Sequence, residues 1–249
     1  MREAKNSQKD EPDNHTKMYF TVLKSYQVIF FIVTKSPKRH NSHHMKIFAT
    51  GMNYPQHNKE LHGTLYKTED PVIFTKADSA MLKDGKPFFV PDFMGRIDYE
   101  AELVVRICRL GKSIPERFAR RYYDAVTVGV DFTARDLQQR LRAAGHPWEL
   151  CKGFDGSAAI GEWVSADKFR DTNALHFHLD INGKTVQEGC TSDMTFSIDK
   201  LIAYISQYFT LKTGDILYTG TPAGTGPINI DDHIEGYVED RKVLSFNCK

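Results

Sequence analysis

Short strand signals separated by turn residues run through residues 45–249, and they limit the fold more than any other feature of the chain. The clearest is Leu175–Ile181, in which apolar and polar residues alternate as they do on a half-buried strand. Asn182-Gly183 follows it directly, and this dipeptide is typical of a two-residue hairpin turn. The sequence predicts further strands at Ile97–Arg106 and Asp215–Thr219, and a strand pair within Tyr237–Phe246.

Helical signals are fewer than strand signals. Ile198–Phe209 places apolar residues at helical spacing, Thr133–Ala144 is rich in helix-forming residues, and Ile114–Phe118 carries Pro115 at a first-turn position. Residues 45–249 contain neither a linker rich in Gly, Ser or Pro nor a GxGxxG or GxxxxGK[ST] phosphate loop. We therefore predict one α+β domain dominated by short strands, and no Rossmann domain.

The charge and hydropathy of the chain exclude several classes of partner. Lys and Arg number 33 against 32 Asp and Glu, so the net charge of +1 excludes a generalised nucleic-acid-binding surface. No apolar run reaches the 18 residues that a membrane-spanning helix needs. The four cysteines are scattered and form no CxxC pair, which is typical of reduced thiols in a cytoplasmic protein.

The first 44 residues differ in character from the remainder. The opening stretch is polar, as in disordered segments, and the apolar run Val28–Val33 is too short to cross a membrane. Met45 then opens MKIFATGMNY, which has the pattern of a strand followed by a turn. We expect residues 1–44 to be a disordered or non-native extension and residues 45–249 to form the folded domain.

Carboxylates recur at two points of the predicted sheet. Asp98, Glu100 and Glu102 alternate along one strand, so they share a face and repel one another unless a cation compensates them. Oxygen ligands of this kind suit Mg²⁺, Mn²⁺ or Ca²⁺, although a solvated strand face would show the same spacing. Asp131 ends the apolar strand of VGVDFTARDLQ and either adds a ligand or caps the following helix. In that helix, Arg135 and the neighbouring Asp136 are also typical of an ordinary surface ion pair.

Three further segments carry residues that are suited to catalysis. Lys152, in a loop rich in glycine and aromatic residues, could stabilise an enolate or be an ordinary loop lysine. Thr221 lies in YTGTPAGTG, a turn whose backbone N–H groups could bind an anion. His57 and Glu60 are one helical turn apart, the spacing of a dyad that activates water and equally of a surface helix.

Taken together, the motifs DYEAEL, DFTARDLQ and TGTPAG resemble the fumarylacetoacetate hydrolase family, and the matching segments cover essentially all of residues 45–249. The resemblance is closest to its short, single-domain branch of acylpyruvases, oxaloacetate decarboxylases and diene-dioate isomerases. It implies a mixed, strand-dominated β-roll that assembles as a homodimer. Glu100, Glu102 and Asp131 match the family's metal ligands, which implies Mg²⁺ or Mn²⁺. Arg135 would brace the site and Lys76 would be a further substrate contact.

The resemblance also implies roles at the substrate. Lys152 matches the lysine that faces the oxo-acid, and Thr221 and Gln138 match residues that contact the substrate. His57 and Glu60 match a mobile lid dyad that positions and deprotonates water.

The resemblance favours a metal-dependent enzyme that acts on small 2-oxo or 2,4-dioxo acids through a metal-stabilised enolate. The favoured reactions are C–C bond hydrolysis, as in acylpyruvate hydrolases, and decarboxylation of oxaloacetate. The alternatives within the family are 2-hydroxyhepta-2,4-diene-1,7-dioate isomerase and 2-oxo-dienoate hydratase. An alternative of another class is an inactive dimeric binding protein on the same scaffold.

Overall fold

The computed structural model describes residues 45–62, 68–82 and 86–249, so the predicted N-terminal extension over residues 1–44 lies outside the described residues. Among the residues described, no helix is long and apolar enough to cross a membrane. The α-helices are α1 (Pro55–His62), α2 (Arg135–Ala143), α3 (Glu149–Lys152) and α4 (Ile198–Tyr208). The strands are β1 (Ile47–Gly51), β2 (Val72–Lys76), β3 (Ile97–Tyr99), β4 (Ala101–Ile107), β5 (Tyr123–Asp131), β6 (Thr133–Ala134), β7 (Ala158–Ile160), β8 (Val164–Ser165), β9 (His176–Ile181), β10 (Lys184–Cys190), β11 (Ile216–Tyr218), β12 (Gly226–Pro227), β13 (His233–Val238) and β14 (Arg241–Asn247).

These strands form three sheets. The largest has the order β2-β1-β11-β4-β5-β7, with β8 also pairing with β5, and only its β1–β11 pair is parallel in the part of the chain described. A second, antiparallel sheet has the order β10-β9-β13-β14, and a third, small sheet has the order β12-β3-β6. The α+β, strand-dominated architecture predicted from the sequence is confirmed.

Several predicted elements are confirmed at the level of single residues. The hairpin turn lies where the sequence places it, with Asn182 at φ 53° and Gly183 at φ 75°, and it joins β9 to β10. Helix α4 begins after Ser197, whose hydroxyl caps it by accepting the N–H of Lys200. Its apolar side faces the main core, in which Leu201 and other residues of α4 are buried.

Other predicted elements have different bounds. The single strand Ile97–Arg106 is divided at Glu100, where the chain leaves the small sheet as β3 and enters the large sheet as β4. The first strand of the final pair begins at His233 instead of Tyr237. The helix predicted after Ser113 is a 3-10 helix over Glu116–Tyr122.

Strand β5 carries a glycine, Gly129, at a position where it pairs with both β4 and β7. Gly129 lies opposite Glu102 of β4 and opposite Ile160 of β7. A Cβ at this position would lie 2.6 Å from the Ala159 carbonyl oxygen and 2.8 Å from the ring of Tyr218. Only glycine therefore allows β4, β5 and β7 to pair at this register.

Gly129→Ala is expected to lower the free energy of unfolding by about 1–3 kcal/mol, because the added methyl group overpacks the sheet against a backbone carbonyl. Urea denaturation of the variant and the natural protein would measure the difference. An unchanged midpoint would contradict the close approach of these strands.

Candidate active site

Three carboxylates converge where β4 begins and β5 ends. Glu102 lies in β4, Glu100 is the residue immediately before β4, and Asp131 is the last residue of β5. The Asp131 N–H donates to the Glu100 carbonyl at 2.9 Å, so these two residues lie directly opposite each other. Each of the three side chains is buried and offers an oxygen atom, and these atoms all lie within 4.8 Å of one another. We call these three residues the carboxylate centre.

Asp98 does not join this centre, although its spacing predicts the same strand face. Its carboxylate accepts hydrogen bonds from the Nε of Arg135 at 2.7 Å and from the Nε of Arg96 at 2.5 Å. The chain changes sheets between Asp98 and Glu102, so the simple alternation of one strand does not extend across Glu100. Asp98 therefore compensates the positive charge of Arg96 and Arg135. Asp131 is the third carboxylate of the centre.

Lys152 bridges the carboxylate centre from α3. Its Nζ donates to Glu100 Oε2 at 2.6 Å, to Asp131 Oδ2 at 2.8 Å and to Thr133 Oγ1 at 2.6 Å. Burial alone would lower the pKa of Lys152, but Asp131 and Glu100 outweigh it and raise the pKa above its ordinary value. Lys152 is thus a buried, charged ammonium and not an exposed loop lysine.

Lys76 supports the centre from behind. Its fully buried Nζ lies 2.6 Å from Asp131 Oδ1 and also donates to the carbonyl of Lys152 and to Ser157. Burial lowers its pKa despite the nearby Asp131 carboxylate. Lys76 does not line the cavity in front of the carboxylates, so its geometry is that of a residue that positions Asp131 and Lys152.

Arg135 and Gln138 form the helical side of the site. The guanidinium of Arg135 donates to Glu100 Oε1 at 2.6 Å and to Gln138 Oε1 at 2.7 Å, in addition to its bond with Asp98. Asp136 instead accepts the backbone N–H of Arg96 at 3.1 Å. The alternative of a surface ion pair between Arg135 and Asp136 is therefore wrong.

The pKa values of the two glutamates move in opposite directions. Burial would raise the pKa of Glu100, but the ammonium of Lys152 and the guanidinium of Arg135 hold it well below its usual range. Burial and the neighbouring Asp131 raise the pKa of Glu102 well above its usual range. Glu100 is therefore held in its charged form, whereas burial and Asp131 favour the protonated form of Glu102.

The glycine-rich turn after β11 faces the same centre. The Gly220 N–H donates to Glu102 Oε2 at 2.6 Å, so the predicted anion-binding turn holds a carboxylate of the chain itself. The Thr221 hydroxyl donates to the Ala101 carbonyl at 2.8 Å and accepts from the Gln187 side chain at 2.7 Å. Thr221 lines the cavity, and its hydroxyl is held in a fixed direction by these two bonds.

Helix α1 brings His57 and Glu60 together above the carboxylates. His57 Nδ1 lies 3.5 Å from Glu60 Oε2, and His57 is buried while Glu60 is half exposed. Glu60 also accepts the Gly224 N–H at 3.1 Å, which fixes its carboxylate against the glycine-rich turn. Burial lowers the pKa of His57, so near neutral pH the imidazole is uncharged and can accept a proton.

Sequence reasoning missed several residues of the cavity, which is bounded by the carboxylate centre, Lys152 and His57. Only Arg142 has an informative spacing, four residues after Gln138 on the same helix, and the others come from β1 and the residue after it, from β2 and from the segment before α3. Several of them lie in the segments GMNYPQHNKEL, PVIFTKAD and PWELCKGFD, which also carry the family resemblance but assign them no role. The missed lining residues are Thr50, Gly51, Met52, Phe74, Arg142 and Trp148.

Lys76→Met is expected to lower the free energy of unfolding by about 3–5 kcal/mol, because it leaves the buried Asp131 carboxylate without one of its two ammonium partners. Thermal unfolding would measure the loss. Asp167→Asn, which breaks the exposed pair with Arg120, is the control and should change stability little. Equal losses of stability in the two variants would contradict the interpretation that Lys76 compensates the buried Asp131 carboxylate.

Comparison with known proteins gives one consistent result. A sequence model described as "Fumarylacetoacetate (FAA) hydrolase C-terminal" matches residues 46–249. The chain is 37% identical to the mitochondrial oxaloacetate tautomerase FAHD1 of mouse over 203 residues, which are 82% of this chain and 91% of the relative. It is 36% identical to oxaloacetate tautomerase YcgM of Escherichia coli K12 over 190 residues, which are 76% of this chain and 86% of the relative.

Solved structures agree with the sequence relatives. Fumarylpyruvate hydrolase from Pseudomonas aeruginosa, crystallised with Mn²⁺ and pyruvate, superposes with a TM-score of 0.76 at 31% identity, covering 82% of this chain and 88% of that one. A fumarylacetoacetate hydrolase family protein from Yersinia pestis CO92 gives a TM-score of 0.78 at 35% identity, and the match covers 82% of this chain and 93% of that one. The predicted β-roll fold and enzyme class are thereby confirmed. The chain belongs to the fumarylacetoacetate hydrolase family.

Proposed function

We propose that this protein is a divalent-cation-dependent enzyme that forms the enolate of a small 2-oxo acid, with oxaloacetate as the first substrate to test. The observation that carries the proposal is the carboxylate centre, in which three buried carboxylates present oxygen atoms within 4.8 Å of one another. Lys152 lies against two of them, and all four residues line one cavity. A group of buried acids in a cleft, with perturbed pKa values, is typical of a catalytic site.

The centre fits a divalent cation. Its donors are all carboxylate oxygens, the type that Mg²⁺ and Mn²⁺ prefer, and the oxygens that accept from Lys152, Arg135 or Gly220 each keep a second lone pair. Burial and the neighbouring Asp131 raise the pKa of Glu102, and a bound cation would favour its charged form. Glu100, Glu102 and Asp131 would hold the ion. When bound, it would act as a Lewis acid that polarises the 2-oxo group.

The chain's own charges suit an enolate. Removing a proton from the carbon beside an oxo group leaves negative charge on the oxo oxygen. The buried ammonium of Lys152 lies at the carboxylate centre and supplies fixed positive charge there, without the cost of reorganising water. Thr221 and Gln138 line the same cavity and offer polar groups to the acid's carboxylate. His57, uncharged near neutral pH, is the group placed to accept a proton.

Oxaloacetate is the preferred first substrate because its keto–enol interconversion needs only this enolate and a proton acceptor. Relatives from mouse and Escherichia coli are oxaloacetate tautomerases. Decarboxylation of oxaloacetate passes through the same type of enolate, so the same centre would support it. Tautomerisation, which the sequence alone did not suggest, joins the reactions to be tested.

Hydrolysis of a C–C bond in a 2,4-dioxo acid is the second candidate, and the contact between His57 and Glu60 favours it. Glu60 Oε2 lies 3.5 Å from His57 Nδ1, and a carboxylate that moves into hydrogen-bond distance of an imidazole makes it a general base able to deprotonate water. The structural similarity to fumarylpyruvate hydrolase from Pseudomonas aeruginosa also supports this candidate. Assembly as a homodimer stays a prediction, which sedimentation of the purified protein would test. A cytoplasmic location also stays a prediction, and fractionation of the host cells would test it.

Glu102→Gln is expected to weaken Mg²⁺ binding by more than about 10-fold, because loss of a ligand should cost at least as much as loss of an outer-shell partner. Calorimetry would measure the affinity, and absorbance assays would follow tautomerisation, decarboxylation and hydrolysis on a panel of 2-oxo acids. Chelation of divalent ions should abolish turnover in the natural protein. The exposed Glu188→Gln is the control. Full Mg²⁺-dependent turnover in Glu102→Gln would refute the centre as the cation site.

His57→Ala separates C–C hydrolysis from decarboxylation of oxaloacetate. If His57 activates water, the variant should lose about 10²–10⁴-fold in C–C hydrolysis. Decarboxylation of oxaloacetate needs no attacking water and should lose much less. The kcat values for acetylpyruvate hydrolysis and oxaloacetate decarboxylation would be compared on one preparation. Equal losses in both reactions would show that His57 has another role, such as shaping the cavity.

A further inference from the structure

Helix α2 presents a row of polar side chains to the cavity. Arg135, Gln138 and Arg142 are spaced by three and four residues, so they lie on one helical face, and all three line the cavity. Arg135 and Gln138 are buried, whereas Arg142 is exposed. With a rise of about 1.5 Å per residue, Arg142 lies about 10 Å further along the helix axis than Arg135. The row therefore runs from the carboxylate centre to the outer end of the cavity.

The inner cations of this cavity act on the protein's own carboxylates. Lys152 hydrogen-bonds Glu100 and Asp131, and Arg135 hydrogen-bonds Asp98 and Glu100. Arg142 brings a further guanidinium to the outer end. The cavity lining also includes the apolar side chains of Met52, Phe74 and Trp148. Of these, the Phe74 ring lies 5.5 Å from the Nζ of Lys152 and so belongs to the inner end.

We infer that Arg142 binds the distal carboxylate of a dicarboxylic 2-oxo acid and so selects dicarboxylic over monocarboxylic substrates. The inference rests on the proposed function, in which the 2-oxo acid end of the substrate lies at the carboxylate centre. The other end then points along α2 towards Arg142. A planar guanidinium can donate two parallel hydrogen bonds to one carboxylate, which gives both affinity and direction. A methyl or acyl group at the same end would gain nothing from it.

The test compares two acids of equal chain length that differ only at the distal end. Calorimetry in the presence of Mg²⁺ would measure the Kd of 2-oxoglutarate, which ends in a carboxylate, and of 2-oxopentanoate, which ends in a methyl group. The proteins would be the natural chain, Arg142→Gln, Arg142→Lys and Arg140→Gln. Arg140 is an exposed arginine of the same helix that does not line the cavity, so it is the matched control.

The natural protein should bind 2-oxoglutarate more tightly than 2-oxopentanoate. Arg142→Gln should weaken 2-oxoglutarate binding about 10-fold, as expected for loss of a charged hydrogen bond, and leave 2-oxopentanoate binding unchanged. Its KM for oxaloacetate should rise by a similar factor. Arg142→Lys should retain part of the preference, and Arg140→Gln should retain all of it.

Two results would overturn the inference: equal weakening of both acids in Arg142→Gln, or no preference between them in the natural protein. Failure of the proposed function would look different. A natural protein that prefers the dicarboxylic acid in binding but turns over no 2-oxo acid would refute the enzymatic proposal and leave the role of Arg142 intact. A natural protein that binds neither acid would overturn the inference, and the proposed function would then be decided by turnover of oxaloacetate.

Discussion

Buried charge has to be compensated inside the protein, and this requirement shapes the region around the carboxylate centre. Removing a carboxylate from water costs several kcal/mol unless partners replace the lost hydration. Here Glu100 contacts Arg135 and Lys152, and Asp131 contacts Lys152 and Lys76. The strands β4 and β5, the helices α2 and α3, and the end of β2 are therefore held around one charged cluster.

The sequence predicted those parts of the structure that depend on local signals. The alternation in β9 with its Asn182-Gly183 turn, and the helical spacing of α4, follow from steric rules that act over a few residues. The three residues of the carboxylate centre were also identified, because their motifs resemble one family. Once β4 and β5 pair with Glu102 opposite Gly129, the same register brings Asp131 opposite Glu100.

What the sequence could not predict depends on which distant elements meet. Asp98 has the spacing of a ligand but turns to arginines, because the chain changes sheets at Glu100. Lys76 matched a substrate contact, yet it lies behind Asp131, 55 residues away along the chain and on another strand. The role of Arg142 at the cavity also depends on how α2 packs. Contacts of this kind depend on how distant elements pack, and they produce no periodic pattern in the sequence.

The long sequence separations within the charged cluster have a consequence for the order of folding. Lys152 contacts Glu100 across 52 residues, and the bond from Lys76 to the Lys152 carbonyl spans 76. Closing such loops costs chain entropy before any of these contacts forms, and a charge that is buried ahead of its partner is penalised further. We therefore expect β4 and β5, where Glu102 pairs with Gly129 across 27 residues, to pair first with the cluster still hydrated, and the ion pairs to close only near the native side of the folding barrier. Substitutions within the cluster should then act mainly by speeding unfolding, while refolding proceeds at nearly its natural rate.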